Sequence, residues 1–204
     1  MDILHRCRSS LRVAVVLALG TIILAILHID IPLDSQARYT MTQPSFLKYL
    51  QLHITQSTVS PHAISVSVTN THPSVPMTFL KWNSPLDPAA LGLGLVHIIP
   101  AGATEPIHIE AIKISRLMPP KPDSLVTLQP GDSATSTVEL RRPIMPEGLW
   151  DAGPVKVAMK GRWMAVWPEL TKEDLISDAE KLRSVGAGIG SLIGEWESEY
   201  IEVS

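Results

Sequence analysis

Residues 50–55 read Leu-Gln-Leu-His-Ile-Thr and residues 64–69 read Ile-Ser-Val-Ser-Val-Thr, so apolar side chains recur at every second position. An extended backbone with that period puts Leu50, Leu52 and Ile54 on one face, as it does Ile64, Val66 and Val68, with the polar residues opposite. A helix of 3.6 residues per turn would scatter both sets around its axis, so strands are the unit of folding. Further short β-branched or apolar runs lie at 77–82, 96–99, 107–114, 125–128, 134–140 and 155–159, punctuated by turn residues. Pro130-Gly131-Asp132 is a tight reversal, after which Ala134, Val138 and Leu140 are expected inside and Thr135, Thr137 and Glu139 outside.

Many short strands with frequent turn signals predict an all-β fold, an immunoglobulin-like antiparallel β-sandwich. The 17 prolines agree, since proline is tolerated at corners and sheet edges but not inside helices. A chain of 204 residues accommodates one such domain with appendages at its ends. Its single cysteine, Cys7, precedes the first strand, so no internal disulfide braces the sandwich and burial must hold it. Acidic residues number 20 against 17 basic, without the clustered excess of Lys and Arg that phosphate neutralisation requires, which argues against nucleic acid as a partner. Asn70-Thr71-His72 and Asn83-Ser84-Pro85 both lack the third-position hydroxyl of an N-glycosylation acceptor.

The ends read differently. Residues 1–12 carry Arg6, Arg8 and Arg12 and are expected to stay cytosolic, ahead of an apolar segment at 13–31. That segment is short for a membrane span of about 20 residues and long for the core of a signal peptide. It is read as an uncleaved N-terminal signal anchor in transmembrane helical form, with a cleaved signal ending near Ser35-Gln36-Ala37 as the alternative. Either way the remainder crosses the membrane: a linker at 32–45, the β-sandwich at 46–168 and a C-terminal helical tail at 169–204. Cys7 would be a juxtamembrane palmitate acceptor in an anchored chain, or an unmodified cytosolic thiol. In the tail, Thr171 and Asp174 form a capping-box pattern, and Leu175, Ala179, Leu182, Gly186, Ile189, Ile193, Trp196 and Tyr200 recur at helical spacing. The expectation is one amphipathic helix, weakened by glycines at 186, 188, 190 and 194, that docks a partner or packs on its own domain.

Catalytic patterns are missing. There is no His-Glu-x-x-His and no Gly-x-Ser-x-Gly, and Gly92-Leu93-Gly94 lacks the rest of a phosphate loop. His97 and His108 can share neighbouring strands but have no third ligand, so no metal or cofactor is expected. Asp87 and Asp123 sit beside prolines, where a carboxylate caps backbone amides more readily than it works as an acid or base. Arg116 follows an apolar run and is suited to hold a loop carboxylate through a bidentate bond. Trp82, Trp150, Trp163 and Trp167 are either a ligand platform or core and rim packing. The candidate partner-binding residues are Trp82, Arg116, Trp163, Trp167 and Trp196.

The succession Val68-Thr69-Asn70-Thr71, Leu80-Lys81-Trp82-Asn83-Ser84-Pro85-Leu86-Asp87, then Val96, Ile112 and Arg116, then Leu128-Gln129-Pro130-Gly131-Asp132-Ser133 and Glu139-Leu140 resembles a known pattern. It looks like the propeptide domain of fungal deuterolysin-type zinc metalloproteases, over about residues 47–162. The resemblance implies a noncatalytic sandwich whose relatives bind and help fold a protease domain in cis; without a protease half, its surface would bind in trans. Three functions follow as expectations: a membrane-anchored or secreted accessory module of the fungal secretory pathway that binds a protein partner, a trans-acting inhibitor or folding helper of a secreted metalloprotease, and a small accessory enzyme or ligand carrier with a deep tryptophan-lined pocket.

Overall fold

The computed structural model describes residues 46–183, 185–186 and 190–204. The basic segment 1–12 with Cys7, the apolar segment 13–31 and the linker 32–45 lie outside the described residues. Among the described residues no helix is long and apolar enough to cross a membrane. Nine strands are described: β1 (Leu50–Val59), β2 (His62–Asn70), β3 (Met77–Leu80), β4 (Val96–Ile99), β5 (Leu125–Leu128), β6 (Ser133–Glu139), β7 (Val155–Pro168), β8 (Leu192–Glu197) and β9 (Ile201–Val203).

The first sheet has the antiparallel order β1-β2-β6. Its register places Leu52 opposite Val68, Ile54 opposite Val66 and Val138 opposite Ile64, so the period-two sets of all three strands share one face. Val138 and the following Leu140 are buried while Thr135, Thr137 and Glu139 are exposed, as the alternation requires. The second sheet is organised by β7. Toward its start, Lys156 and Val157 pair with β4 on one edge and β9 on the other. Toward its end, Val166 pairs with both β3 and β8, and β5 extends the sheet beyond β3. Inner-face side chains of both sheets, among them Ile54, Val66, Phe79, Ile98, Val157 and Trp163, form one continuous core.

Pairing along β7 slips between Trp163 and Val166, and this reverses which residues face inward. Val155, Val157, Met159 and Trp163 belong to the main core, and so does Val166 after the slip. Ala165 and Trp167 turn to the opposite face, where they meet Leu80, Leu125, Leu175 and Leu182 in a second cluster. That cluster needs a cover. Two short helices supply it, α1 (Lys172–Ser177) and α2 (Ala179–Arg183), with Leu175 and Leu182 as their buried residues. β3 is therefore buried on both faces. Thr78 and Thr127 clamp the chain entering α1: their hydroxyls lie 2.7 Å apart, Thr78 donates to the Leu170 carbonyl at 2.6 Å, and the Lys172 N–H donates to Thr127 Oγ1 at 2.8 Å.

The capping box forms as expected, with the Asp174 N–H donating to Thr171 Oγ1 at 3.2 Å and the Thr171 N–H to Asp174 Oδ2 at 2.8 Å. The single amphipathic helix over 169–204 does not form. Gly186 and Gly190 take φ values of 82° and 89°, outside the helical region, and β8 and β9 follow. Leu192 and Trp196 are buried and Ile193, Glu195 and Glu197 exposed, a strand period that completes the edge of β7. Gly194 sits where a side chain would collide with Leu47. The sandwich therefore extends beyond Pro168 to Val203. Gln56 joins that end to β1, its Nε2 donating to the Ser204 carbonyl at 2.7 Å.

A second departure lies at 107–114, where no strand is assigned. Proline bounds the segment at 106 and again at 119 and 120, and the alternation changes phase between Ile109 and Ile112. Ile107 and Ile109 are half-buried, while Ile112 and Ile114 are exposed. The Ile107 N–H donates to the Ile98 carbonyl and the Ile112 N–H to the Gly92 carbonyl, each at 2.8 Å, which holds the segment as a strap beside the second sheet's partners.

Candidate functional site

After β3 the chain turns through residues 81–87, and this corner is built around Asp87. At 1% exposure, Asp87 accepts from the Asn83 N–H at 2.8 Å and the Ala89 N–H at 2.9 Å. Arg116 Nη2 donates to both of its oxygens, at 3.0 and 2.7 Å. The two sequence expectations meet here, since Asp87 caps its turn and is also the carboxylate that Arg116 holds. One nitrogen reaches both oxygens rather than two nitrogens forming a fork. Asp123 is exposed at the start of a 3-10 turn, Pro122–Ser124, and takes no part.

The Arg116 guanidinium also lies 5.7 Å from the centre of the Trp82 ring, a cation–π distance. Trp82 and Arg116 are thus a half-exposed pair that fixes the strap's far end against the corner. Around them the strap shows its apolar side chains to solvent: Ile112 is 56% exposed, Leu117 77% and Met118 51%, with Ile114 between them. Exposed large apolar residues gathered on one short segment are a mark of an interaction surface. Beyond the flanking prolines and the phase change no sequence signal marks this exposure, because Ile112 and Ile114 satisfy a strand pattern as well.

The tryptophans do not assemble a platform. Trp163 lies in the main core, 5.0 Å edge-on to Phe79, and Trp167 is on the opposite face of β7 in the second cluster. Trp196 is buried 6.2 Å from Trp163, its Nε1–H donating to the Asn83 carbonyl at 3.1 Å. Trp150 stacks on His62 at 3.8 Å. Trp163 and Trp167 therefore offer no surface to a partner, because the second sheet needs their bulk for packing, and Trp196 is buried except where it borders a groove beside β8. Of the five candidates, only Trp82 and Arg116 stand at the surface together.

Two open grooves accompany these elements. One, of about 500 Å³, runs between the 88–92 turn with Ile112 and the side of β6, and its lining includes Leu91, Val138, Arg141 and Ile144. The other, of about 580 Å³, is bordered by His97, Lys160, Glu195, Trp196 and Glu197 of β4, β7 and β8. Burial, and secondarily the Lys160 ammonium, hold the His97 imidazole below its ordinary pKa. The carboxylates there face cations across the strands, Glu197 opposite Lys160 and Glu195 opposite Arg162. Among the described residues, no group of His, Cys, Asp and Glu is arranged to hold a metal ion.

The residues of the Asn-Thr turn are structural. Asn70, fully buried, donates through Nδ2 to the Val75 and Leu128 carbonyls at 2.9 and 3.0 Å and accepts the His72 N–H at 3.0 Å. Its main chain pairs with Gly131 and Asp132 of the tight reversal. The amide thereby ties the first sheet to the second.

Comparison with known proteins agrees with this architecture. Residues 49–204 match the family model of an immunoglobulin-like domain, a span that includes β8 and β9. Over 148 residues the chain is 30% identical to a protein of Arthroderma benhamiae described as an uncharacterized secreted protein, covering 71% of this chain and 69% of that one.

Proposed function

The chain belongs to the immunoglobulin-like domain family, and on that premise we propose that it is a noncatalytic accessory module of the fungal secretory pathway that binds a protein partner. The observation that carries this reading is the strap, where Ile112, Leu117 and Met118 are exposed on a segment pinned at Arg116 by Asp87 and Trp82. A surface fixed from behind and apolar in front loses little entropy on binding and gains from excluding water. In this reading the domain acts in the lumen or outside the cell, delivered by the segment at 13–31 as signal anchor or cleaved signal. The secreted relative supports delivery across the membrane.

Replacing Ile112, Leu117 and Met118 together by serine leaves the core untouched, since all three side chains are exposed. Affinity capture from the native host with the wild-type chain should recover a partner that the triple variant loses by at least tenfold. Equal recovery by both proteins sinks the strap as the binding surface.

A second reading takes that partner to be a deuterolysin-type metalloprotease, which the chain would inhibit or help to fold. It is favoured by the residues that carry the resemblance, which hold two turns in place: Asn70 bonds the Leu128 carbonyl and Gly131, and Asp87 holds Arg116. Added full-length chain should then raise the refolding yield of such a protease or lower its activity, and an absence of both effects removes this reading while leaving the first intact.

A further inference from the structure

The outer face of the first sheet is a field of hydroxyl groups. Its cross-strand rows are Gln51–Thr69–Ser133, His53–Ser67–Thr135 and Thr55–Ser65–Thr137. No Lys, Arg or Asp stands in these rows, and the first charged side chain along β6 is Glu139 at its end. Thr69 and Ser133 satisfy one another at 2.7 Å. Thr135 and Thr137 are exposed, and their hydroxyls have no hydrogen-bond partner among the described residues.

The strand that carries them is an edge. β6 pairs with β2 on one side and, among the described residues, has no strand on the other. Edge strands are templates for unwanted pairing, and proteins blunt them with proline, lysine, a bulge or a covering segment. From Ser133 to Val138, β6 has no proline or charge, and its register against β2 runs without a shift. An extended, regular acceptor with one free edge and two outward threonines is also the form in which a transferase can bind a peptide by its main chain and reach a side-chain hydroxyl.

We propose that Thr135 and Thr137 are O-glycosylation sites, and that the sugars they carry shield the free edge of β6. In the transfer, threonine Oγ1 attacks the anomeric carbon of an activated glycosyl phosphate, either polyisoprenyl-linked or nucleotide-linked. The new bond joins that carbon to Oγ1, the bond from the carbon to the phosphate oxygen breaks with its electron pair going to phosphate, and the hydroxyl proton passes to a base of the transferase. Nothing is oxidised or reduced. The modification rests on the secretory routing proposed above, so the test separates the two.

Purified full-length chain is incubated with detergent-opened secretory membranes from a fungal host and labelled glycosyl donors of both kinds, which bypasses delivery. Electron-transfer fragmentation then locates the label. Label on Thr135 or Thr137, lost from the Thr135→Val/Thr137→Val variant whose melting temperature is unchanged, is the expected result. No incorporation, or incorporation confined to other residues, overturns the proposal. Failure of the chain to enter the secretory pathway in cells would instead count against the routing.

Discussion

Asp87 shows how much one carboxylate can organise when burial leaves it no water. It joins the turn at Asn83, the turn at Ala89 and the strap at Arg116, so its loss strands two amides and a guanidinium at once. Breaking a buried pair by removing one partner costs about 3 kcal/mol or more. Asp87→Ala should therefore lower the urea midpoint by an amount equivalent to about 3 kcal/mol, with chemical shifts at Leu117 and Met118 changed because the strap is released. A variant with unaltered stability would show that the corner is held by its main chain alone. Both residues were legible in the sequence as a turn cap and as an arginine seeking a carboxylate. Their partnership was not, because 29 residues separate them and no local spacing encodes that contact. The tryptophans were ambiguous for a related reason. Trp163 and Trp167 are four apart in one strand, and only the pairing slip between them decides which core each enters.

At the scale of elements, the strands with clean alternation were readable, down to the boundaries of β4 and β5 at 96–99 and 125–128. Two segments were not. Leu175 and Leu182 fit a helical spacing and lie in the two short helices, but Leu192 and Trp196, four apart, fit a helical spacing and a strand period alike. The glycines settle it, since two of them take left-handed φ and end the helical run. A third glycine has a different use. Gly161 lies opposite Trp196, and a Cβ built there would approach the indole to 2.6 Å, so the ring covers the bare backbone of β7. Gly161→Ala should destabilise by about 1–3 kcal/mol through this overlap, read as a lower melting temperature with a perturbed tryptophan spectrum. Added to Trp196→Phe, the same substitution should cost less, and equal costs in both backgrounds would discount the contact.

For the whole molecule, β7 is the element on which everything else depends, as it pairs with β3, β4, β8 and β9 and contributes to both cores. The last strands are consequently part of the domain and not an appendage. A chain ending at residue 190 would expose one edge of β7 and remove Leu192, Trp196 and Val203 from the core. It should lose amide dispersion in its NMR spectrum, whereas a well-dispersed spectrum would mean that the sandwich closes without β8 and β9. The slip within β7 has a different consequence, for how such a sequence can change over time. Because Ala165 and Trp167 face away from Trp163 and Val166, the helical insertion packs on a surface that the main core never touches. Substitutions at the exposed positions of α1 and α2 can therefore accumulate without repacking the main core, whereas Leu175 and Leu182 must stay apolar to cover the second one.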